Sequence, residues 1–427
     1  MTHSSSTNIL RIGLFFDGTG NNLTNALAGT GGVSARAPSG SYANAPSNIA
    51  LLYGLYPDAA DLHPGVHCLS LYVEGIGTRQ GAPDSMLSQA TGLGATGVEA
   101  RVEQAMQWLR EQVARWRQQH PQPPLQGVEV DLFGFSRGAA AARHCANRLV
   151  AGEVGSDLAV TLNFIGLFDT VAAIFDPMAH PSPGMQFGTL RLGLADGIAR
   201  KVVQLAAADE FRQHFALVAS GNDCLLPGAH SDIGGGYPAQ VREQVLLCKP
   251  FSCRVPASNR PEATAAYAQA AQWLDEHSPR AAGQLQLHTW EVLDEDHRAR
   301  REAPYKRVFA TVSQTREVPG QLSQVYLSIM RELAVQHGVP LAPLPGEWLA
   351  QLPSQLQPIS QALHAYALGH SAELHLTAGQ REVLQRYIHT SAHWNPAAEL
   401  RDASPDVLFV NRPTADGVRL VHANPLG

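Results

Sequence analysis

The sequence lacks an excess of positive charge, and this shortage excludes one large class of function. Its 427 residues include 31 Lys and Arg against 37 Asp and Glu, which gives a formal net charge of −6 at pH 7. Such a balance provides no general attraction to nucleic acid or to an anionic membrane surface. We therefore expect no nucleic-acid partner.

Cysteine is also scarce. The five cysteines are odd in number and show none of the paired spacings typical of zinc sites; they are Cys68, Cys145, Cys224, Cys248 and Cys253. Reduced thiols are the expected state, with a local disulfide between Cys248 and Cys253 as the alternative.

Long apolar segments are missing as well. The most apolar run, "LAVTLNFIGLF", is interrupted by Asn163 and followed by Asp169, so it is too short to span a bilayer. The N-terminal "MTHSSSTNILRIGLFF" has no basic segment followed by an apolar run and a cleavage site, which argues against a secretory signal peptide. We expect synthesis in the cytoplasm, no transmembrane segment, and another export route if the protein acts outside its cell.

In the first half of the sequence, short apolar runs alternate with helical patterns. Apolar residues recur at helical spacing from Val98 to Trp116, and Pro121 ends that pattern. Strand-like runs occur before and after it, in "NILRIGLFF", "GVEVDLFGFS" and "LAVTLNFIGLF". Continuous apolar strands separated by helices predict a doubly wound, mainly parallel sheet that is buried on both faces. The predicted fold class is therefore α/β.

The pattern changes after about residue 240. Several helical segments follow, "VREQVLLCKPFSCRV" and the final "VLFVNRPTADGVRLV" are typical of hairpins, and the charged "LHTWEVLDEDHRARREAPYKRVFA" predicts a solvated peripheral segment. We divide the chain into a catalytic core at residues 1–245 and a helical elaboration at residues 246–427 that returns to the core at the C-terminus.

The stretch "VEVDLFGFSRGAAAARHCANRLV" at residues 128–150 supplies a candidate nucleophile. Ser136 has a glycine two residues away on each side, Gly134 and Gly138, with a strand pattern before it and a helix pattern after it. This is the context of a nucleophile elbow, a strained turn that exposes a serine hydroxyl above the edge of a parallel sheet. The alternative is a serine that only caps the following helix. The context favours the nucleophile.

A nucleophilic serine needs a histidine to take its proton and an acid to orient that histidine. Asp169 ends the next strand pattern and is the predicted acid, with a helix cap as its alternative role. His230 in "GAHSDIGGGY" is the predicted base, because its neighbouring glycines allow close backbone approach. His389 in "RYIHTSAHW" is the rival base, whereas His144 is expected to be packed or exposed on the helix after the elbow.

The segment "FFDGTGNN" carries a second functional signal. It is rich in small residues, and we predict an oxyanion hole formed by the backbone N–H of Arg137 with that of Gly18 or Thr19.

The same segment also has an interpretation as an oxygen-rich metal loop. Asp17, Asn21 and Asp232 carry oxygen ligands of the kind that divalent cations bind. No cluster has metal-ligand spacing, so we predict no metal and no other cofactor, and a cation near Asp17 and Asp232 stays an alternative. We expect Asp17, Asp232 and His389 to contact and position the catalytic residues without taking part in the reaction themselves.

Five motifs occur in a fixed order: "FFDGTGNN", "GFSRGAAAAR", "IGLFDTV", "ADEFRQHF" and "GAHSDIGGGY". With them the sequence resembles the α/β-hydrolase family that contains the first, GxSxG-bearing group of type VI secretion lipase effectors. The likeness covers residues 8–240 well and continues more loosely through 320–337 and "YIHTSAHW". The resemblance implies an α/β-hydrolase fold and a phospholipase whose triad is Ser136, Asp169 and His230.

The resemblance also implies partners and a location. Its members cleave membrane phospholipids in the periplasm of a target cell, to which a type VI secretion machine delivers them. A secretion spike protein and a cognate immunity protein are then the expected partners.

Two alternatives belong to other classes of protein. One is a soluble intracellular esterase or serine hydrolase that acts on small esters, and the other is a noncatalytic hydrolase-fold protein that acts by interaction. For a lipid substrate we expect residues 18–47 and 174–205 to line or cover the acyl pocket.

Overall fold

The centre of the molecule is a seven-stranded sheet. The structure, a computed structural model, describes residues 8–31, 40–81, 84–85, 94–122, 124–155, 158–172, 187–277, 284–294, 304–346, 348 and 351–425. The strands of the central sheet are β1 (Asn8–Phe16), β2 (Ala60–His63), β3 (Val66–Val73), β4 (Leu125–Phe135), β5 (Val160–Phe168), β6 (Lys201–Ala207) and β8 (Asp223–Leu226). They lie in the order β2-β3-β1-β4-β5-β6-β8, and only the edge strand β2 runs antiparallel to its neighbour. The predicted doubly wound, mainly parallel sheet is confirmed.

The chain also forms helices, several of which cover the two faces of this sheet. The longer ones are α1 (Leu23–Gly31), α2 (Asn48–Leu55), α3 (Val98–Gln119), α4 (Arg137–Val150), α6 (Ala265–His277), α7 (Leu322–Gln336), α8 (Gln357–Ala367) and α9 (Ala378–Gln385), and a single turn, α5, spans His230–Gly234. Along β4, Phe133 and Phe135 pack into the core that α2 and α7 share, whereas Leu132 packs into the core that α3 and α4 share. Both faces of β4 are therefore buried at its carboxyl end, which explains why consecutive residues there are apolar.

Most of the core elements match the sequence pattern. The helix expected from Val98 to Trp116 is α3, which ends at Gln119 before Pro121. The helix in "SNIALLYGLY" is α2, and its N-cap Ser47 accepts a hydrogen bond from the Ala50 amide at 3.2 Å. Helix α1 lies between β1 and α2, within the region expected to line an acyl pocket, and strand β6 was not anticipated.

A second, antiparallel sheet follows the core. Its strands are β9 (Gln240–Leu246), β10 (Phe251–Pro256), β11 (Gln284–Leu293) and β12 (Tyr305–Pro319). Strand β12 has 15 residues, so β9 and β10 pair with it one after the other along one edge while β11 occupies the other edge. The predicted hairpin in "VREQVLLCKPFSCRV" is therefore wrong, because its two strands pair with β12 rather than with each other. The predicted boundary at residues 245/246 falls inside β9.

The end of the chain returns to the core. Strands β7 (Leu217–Val218) and β13 (Val421–His422) form a short parallel pair, so the predicted C-terminal hairpin is also wrong. The charged segment predicted to be peripheral contributes parts of β11 and β12, with residues 295–303 outside the described part of the chain.

Several remaining expectations concern cysteines, membrane spans and loops. All five cysteines are free thiols, including Cys248 and Cys253. Among the described residues, no helix is long and apolar enough to cross a bilayer. Of the region predicted to cover an acyl pocket, residues 174–186 lie outside the described residues.

A buried charge pair joins the two central strands away from the strand ends. The Arg11 guanidinium on β1 donates to both carboxylate oxygens of Asp131 on β4, at 2.7 and 2.9 Å. Tyr56 and Asn163 also donate to this fully buried carboxylate, at 2.9 and 2.8 Å. The carboxylate therefore has partners on every side, as a buried charge requires.

Replacing Asp131 with alanine should destabilise the fold while leaving the mechanism untouched. The free energy of unfolding should fall by about 3 kcal/mol, the lower end of the range for breaking a buried pair, because Glu129 still contacts Arg11. Chemical denaturation measures this change. The matched control is Arg200→Ala, which breaks an ion pair of Glu129 with a half-exposed arginine and should cost less than about 1 kcal/mol. Equal losses in the two variants would contradict the account.

Candidate active site

Ser136 occupies a sharp turn between β4 and α4. Its backbone has φ 58° and ψ −125°, one of only a few positive φ values at non-glycine residues in the described part of the chain. The side chain makes no hydrogen bond that caps α4, although Ser136 holds the N-cap position. The alternative of an ordinary capping serine is therefore not what the structure shows. The strained turn is the one expected of a nucleophile elbow.

The glycines of "GFSRG" are required by close packing around this turn. A Cβ atom on Gly134 would lie 2.5 Å from Ala139 Cα, and one on Gly138 would lie 2.3 Å from the carbonyl oxygens of Phe16 and Asp17. The first glycine lets α4 approach its own strand, and the second lets the end of β1 approach α4. The start of "FFDGTGNN" is thereby brought against the elbow.

Asp169 lies directly after β5 and points its carboxylate at the predicted base. Its Oδ2 atom lies 2.5 Å from His230 Nδ1, and its Oδ1 atom accepts the Ala207 amide at 2.9 Å. Asp169 also has a positive φ, 47°, and is fully buried. Among the described residues its carboxylate contacts distant parts of the chain, and the segment that it was expected to cap continues outside the described residues, from residue 173.

His230 begins the short helix α5 and is almost completely buried. Its ring lies between those of Phe135 and Phe215, with centroid distances of 4.7 and 5.1 Å. Because the ionised Asp169 carboxylate can only accept, Nδ1 carries the proton of this hydrogen bond and Nε2 is left as the basic atom. Burial lowers the pKa of His230 below its ordinary value, against the opposing effect of Asp169.

The structure joins the acid and the base but not the base and the serine. Among the described residues, no hydrogen bond connects the Ser136 hydroxyl with His230. Such bonds are often long in a free enzyme and shorten when substrate binds.

The oxyanion predictions have different outcomes. Arg137 is the first residue of α4, directly after Ser136, and its backbone N–H stays a predicted oxyanion donor. The Gly18 N–H, in contrast, donates to Asp17 Oδ1 at 2.7 Å, so the prediction that Gly18 serves as a donor is wrong. Thr19 follows it in the loop beside the elbow and stays a prediction.

Asp17 shapes this loop. Its buried carboxylate accepts from Ser47 Oγ at 2.6 Å and from the Tyr72 hydroxyl at 2.5 Å, in addition to the Gly18 amide. Burial raises the pKa of Asp17 to about 6, although these three donors oppose the shift. Through these three hydrogen bonds Asp17 connects the end of β1 with β3 and with the start of α2, beside the elbow.

His389 pairs with a different acid from the one that His230 contacts. Its Nδ1 atom lies 2.6 Å from Asp232 Oδ1, its backbone N–H donates to Asp232 Oδ2 at 3.0 Å, and its ring stacks on Tyr237 at 3.7 Å. Because Asp232 also accepts the Ala229 amide, His389 fastens the late "YIHTSAHW" segment to α5, which carries His230. His389 thus lies in a supporting position, as expected for it and for Asp232, and not in the place of the base.

Two other candidates do not join the site. His144 lies on α4, where its Nδ1 atom accepts the Arg191 amide at 3.0 Å. Within the described ranges, no group of three His, Cys, Asp or Glu side chains is arranged to bind a metal. Asp17 and Asp232 have separate sets of protein donors, so the interpretation as a metal loop has no support in their contacts.

Residues of the motif "ADEFRQHF", which have no predicted role, lie around His230. Glu210 is fully buried, accepts two hydrogen bonds from the Arg212 guanidinium at 2.9 and 2.8 Å, and accepts the His230 amide at 3.3 Å. Although burial opposes ionisation, Arg212 and His230 lower the pKa of Glu210 to about 2. The Arg212 guanidinium also lies over the Phe215 ring, at 3.2 Å. This cluster therefore contacts both the backbone and the ring of His230.

Arg419 also belongs to this site, although no sequence pattern points to it. Its guanidinium contacts both oxygens of the Asp169 carboxylate, at 2.6 and 2.8 Å. The two residues are 250 positions apart, and no motif surrounds Arg419 in the sequence, so only the fold reveals the contact.

Two comparisons relate this chain to known proteins. Residues 11–155 match the family described as "T6SS, Phospholipase effector Tle1-like, catalytic domain", a segment that includes Ser136 and ends before Asp169. The chain also matches the solved "Structure of the Tle1 effector bound to the VgrG spike from the Type 6 secretion system", with 27% identity and a TM-score of 0.73 over 98% of this chain and 94% of that one.

A weaker match is an uncharacterized protein from Pseudomonas aeruginosa. It is 20% identical, with a TM-score of 0.46, and the match covers 90% of this chain and 53% of that one. No curated protein matches the sequence.

Gly138→Ala tests the packing of the elbow. The new Cβ would meet two backbone oxygens of the β1 end, so the end of β1 must move away from Ser136 and the oxyanion donors. We expect ester hydrolysis by the folded protein to fall by about 100-fold, the loss typical of an ångström-scale displacement of a catalytic group. The control is Gly54→Ala on α2, where a Cβ meets nothing within 4 Å and activity should be unchanged. Full activity of the Gly138 variant would contradict the proposed geometry.

The lowered pKa of His230 predicts the acid limb of the pH profile. The base must be neutral to accept a proton, and a pKa below 6.5 keeps it neutral to lower pH than an ordinary histidine. The midpoint of the acid limb of kcat/KM on a soluble short-chain ester should therefore lie below pH 6.5. A midpoint above pH 6.5 would show that burial does not control this histidine.

Proposed function

We propose that this chain, a phospholipase effector of the Tle1-like type VI secretion group, hydrolyses phospholipid esters with the triad Ser136, His230 and Asp169. The observation that carries the assignment of residues is the 2.5 Å contact between His230 Nδ1 and Asp169 Oδ2. Because the acid contacts Nδ1, the basic Nε2 atom of His230 remains available to accept a proton. His230 also lies at the same edge of the sheet as Ser136. Acid, base and nucleophile follow β5, β8 and β4, three strands whose carboxyl ends meet at that edge.

Acylation begins with proton transfer. His230 Nε2 takes the proton of the Ser136 hydroxyl while Oγ attacks the ester carbonyl carbon of the lipid. The carbonyl oxygen becomes an oxyanion, which the N–H of Arg137 and that of Thr19 stabilise. Asp169 orients the imidazole and stabilises its protonated form. When the tetrahedral intermediate collapses, His230 returns the proton to the departing lysophospholipid oxygen.

Deacylation repeats these steps with water. His230 removes a proton from the water that attacks the acyl ester, and the fatty acid leaves as Ser136 regains its proton. The rings of Phe135 and Phe215 keep the imidazole away from bulk water, so it stays neutral between the two half-reactions.

Exposed apolar side chains near the catalytic acid support a lipid substrate. Val418, Leu420 and Val421 are 62%, 43% and 58% exposed, and two of them flank Arg419, which contacts Asp169. Exposed apolar clusters of this kind favour contact with a membrane or another apolar partner. We propose that this surface faces the bilayer when a lipid enters the site.

The structural match also suggests how the enzyme travels. Since the matched Tle1 effector is bound to a VgrG spike, we propose that a spike protein carries this chain through a type VI secretion machine. The target-cell periplasm is the proposed place of action, and a cognate immunity protein is the proposed protector of the producing cell.

Product analysis on a defined phospholipid tests the proposed function. Vesicles of a phospholipid with two different acyl chains should release a fatty acid with the wild-type enzyme, and Ser136→Ala should lower the rate by at least about 1,000-fold. A chelator should leave the rate unchanged, because protein donors occupy Asp17 and Asp232.

His230→Ala and His389→Ala separate the two candidate bases in the same assay. His230→Ala should match the Ser136 variant, whereas His389→Ala should retain measurable activity. Hydrolysis of short esters without any release from vesicles would favour a small-ester esterase. Equal rates in wild type and the Ser136 variant would favour a noncatalytic protein.

A further inference from the structure

The carboxylate of Asp169 has a second charged partner besides His230. Arg419 Nη1 donates to Oδ1 at 2.6 Å and Nη2 donates to Oδ2 at 2.8 Å, a two-point contact with the face of the acid that His230 leaves open. Two parallel N–H donors fix both the position and the tilt of a carboxylate, which a single donor cannot do.

The guanidinium itself is held in place by backbone atoms. Its Nε atom donates to the Phe215 carbonyl at 3.0 Å, and Nη1 also donates to the Ala207 carbonyl at 3.1 Å. The Arg419 side chain is only 8% exposed, and that of Asp169 is completely buried. The contact is therefore between two ordered groups inside the protein.

A C-terminal strap, residues 411–424, brings Arg419 to this place. The strap runs beside residues 211–220, and three main-chain hydrogen bonds of 2.9 Å attach it: from Gln213 to Arg412, from Leu217 to Leu420 and from Ala219 to His422. These bonds use backbone atoms, so the strap can stay bound when the Arg419 side chain is changed.

The far end of the strap reaches the elbow helix. Asn424 Oδ1 accepts from Arg143 Nη2 at 2.9 Å, and Arg143 lies on α4, which begins directly after Ser136. The strap thus contacts both the element that carries the acid and the element that follows the nucleophile.

We propose that Arg419 is a positioning residue of the active site, which holds Asp169 ionised and correctly oriented behind His230. This inference rests on the triad proposed above, and it makes the last residues of the chain part of the catalytic machinery. Without Arg419 the negative charge of Asp169 would be buried with one ionisable partner instead of two.

The consequence for pH dependence has a definite sign. Burial favours the neutral form of Asp169, and Arg419 is the strongest influence that lowers its pKa. Removing Arg419 raises that pKa, and the unbalanced carboxylate also lets His230 keep its proton to higher pH. Both effects move the acid limb of kcat/KM toward higher pH.

Arg419→Gln, Arg419→Lys and a matched control, Arg412→Gln, test the proposal. Arg412 belongs to the same strap, but its side chain contacts His214 and the Asp406 carbonyl rather than Asp169. The full chain of each variant is assayed on vesicles and on a soluble ester from pH 5 to 9, with thermal unfolding as the check on folding.

For Arg419→Gln we expect kcat to fall by about 100-fold, KM to change little, and the acid limb to move to higher pH. Arg419→Lys should restore the acid limb because it restores the charge, but only part of kcat because one ammonium cannot make the two-point contact. Arg412→Gln should behave as the wild type.

The result that overturns the proposal is a folded Arg419→Gln enzyme with wild-type kcat and pH profile. If the glutamine variant does not fold, the lysine variant decides: an unchanged kcat overturns the proposal, and a lowered kcat with a wild-type acid limb supports it. The proposed triad fails separately, because its failure would appear as full activity of Ser136→Ala.

Discussion

The proposed active site depends on keeping one negative charge in a place without water. Asp169 is fully buried, and a bare carboxylate there would take up a proton rather than stay ionised. Three donors prevent this: the Ala207 amide, His230 and Arg419. Each comes from a different part of the chain, namely β6, α5 and the C-terminal strap, so all three must be in place before Asp169 can orient His230 as we propose.

The same edge of the sheet holds two strained backbones. Ser136 and Asp169 end the neighbouring strands β4 and β5, and both have positive φ values. Each such residue costs about 1–3 kcal/mol, which the surrounding structure must offset. Hydrogen bonds to the neighbouring strands contribute to this offset. Ser136 donates its N–H to the Phe168 carbonyl at 3.0 Å, and Asp169 donates its N–H to the Leu205 carbonyl at 2.8 Å. Strand pairing stays regular up to the residue before Ser136 and the residue before Asp169. This pairing therefore fixes the positions of both residues.

Sequence was sufficient where local chemistry determines structure. The apolar runs, the glycines around Ser136 and the acid after the next strand each have a local cause, and they predicted the parallel sheet and the pairing of Asp169 with His230. Sequence was insufficient where pairing is long-range. The antiparallel sheet on β12 depends on the length of one strand, and the contact of Arg419 with Asp169 spans 250 residues without a motif. The Gly18 prediction was wrong for a third reason. The side chain of the preceding residue, Asp17, accepts the Gly18 amide, and no sequence pattern indicates this hydrogen bond.

The central claim is that Ser136 is the nucleophile that this arrangement activates. The most direct measurement is mass spectrometry of peptides after the full-length protein reacts with a fluorophosphonate at neutral pH. The account predicts a single adduct on the peptide that contains Ser136, formed rapidly in the wild type and much more slowly in His230→Ala. An adduct on another serine, or an equal rate of labelling at Ser136 in the two proteins, would contradict it.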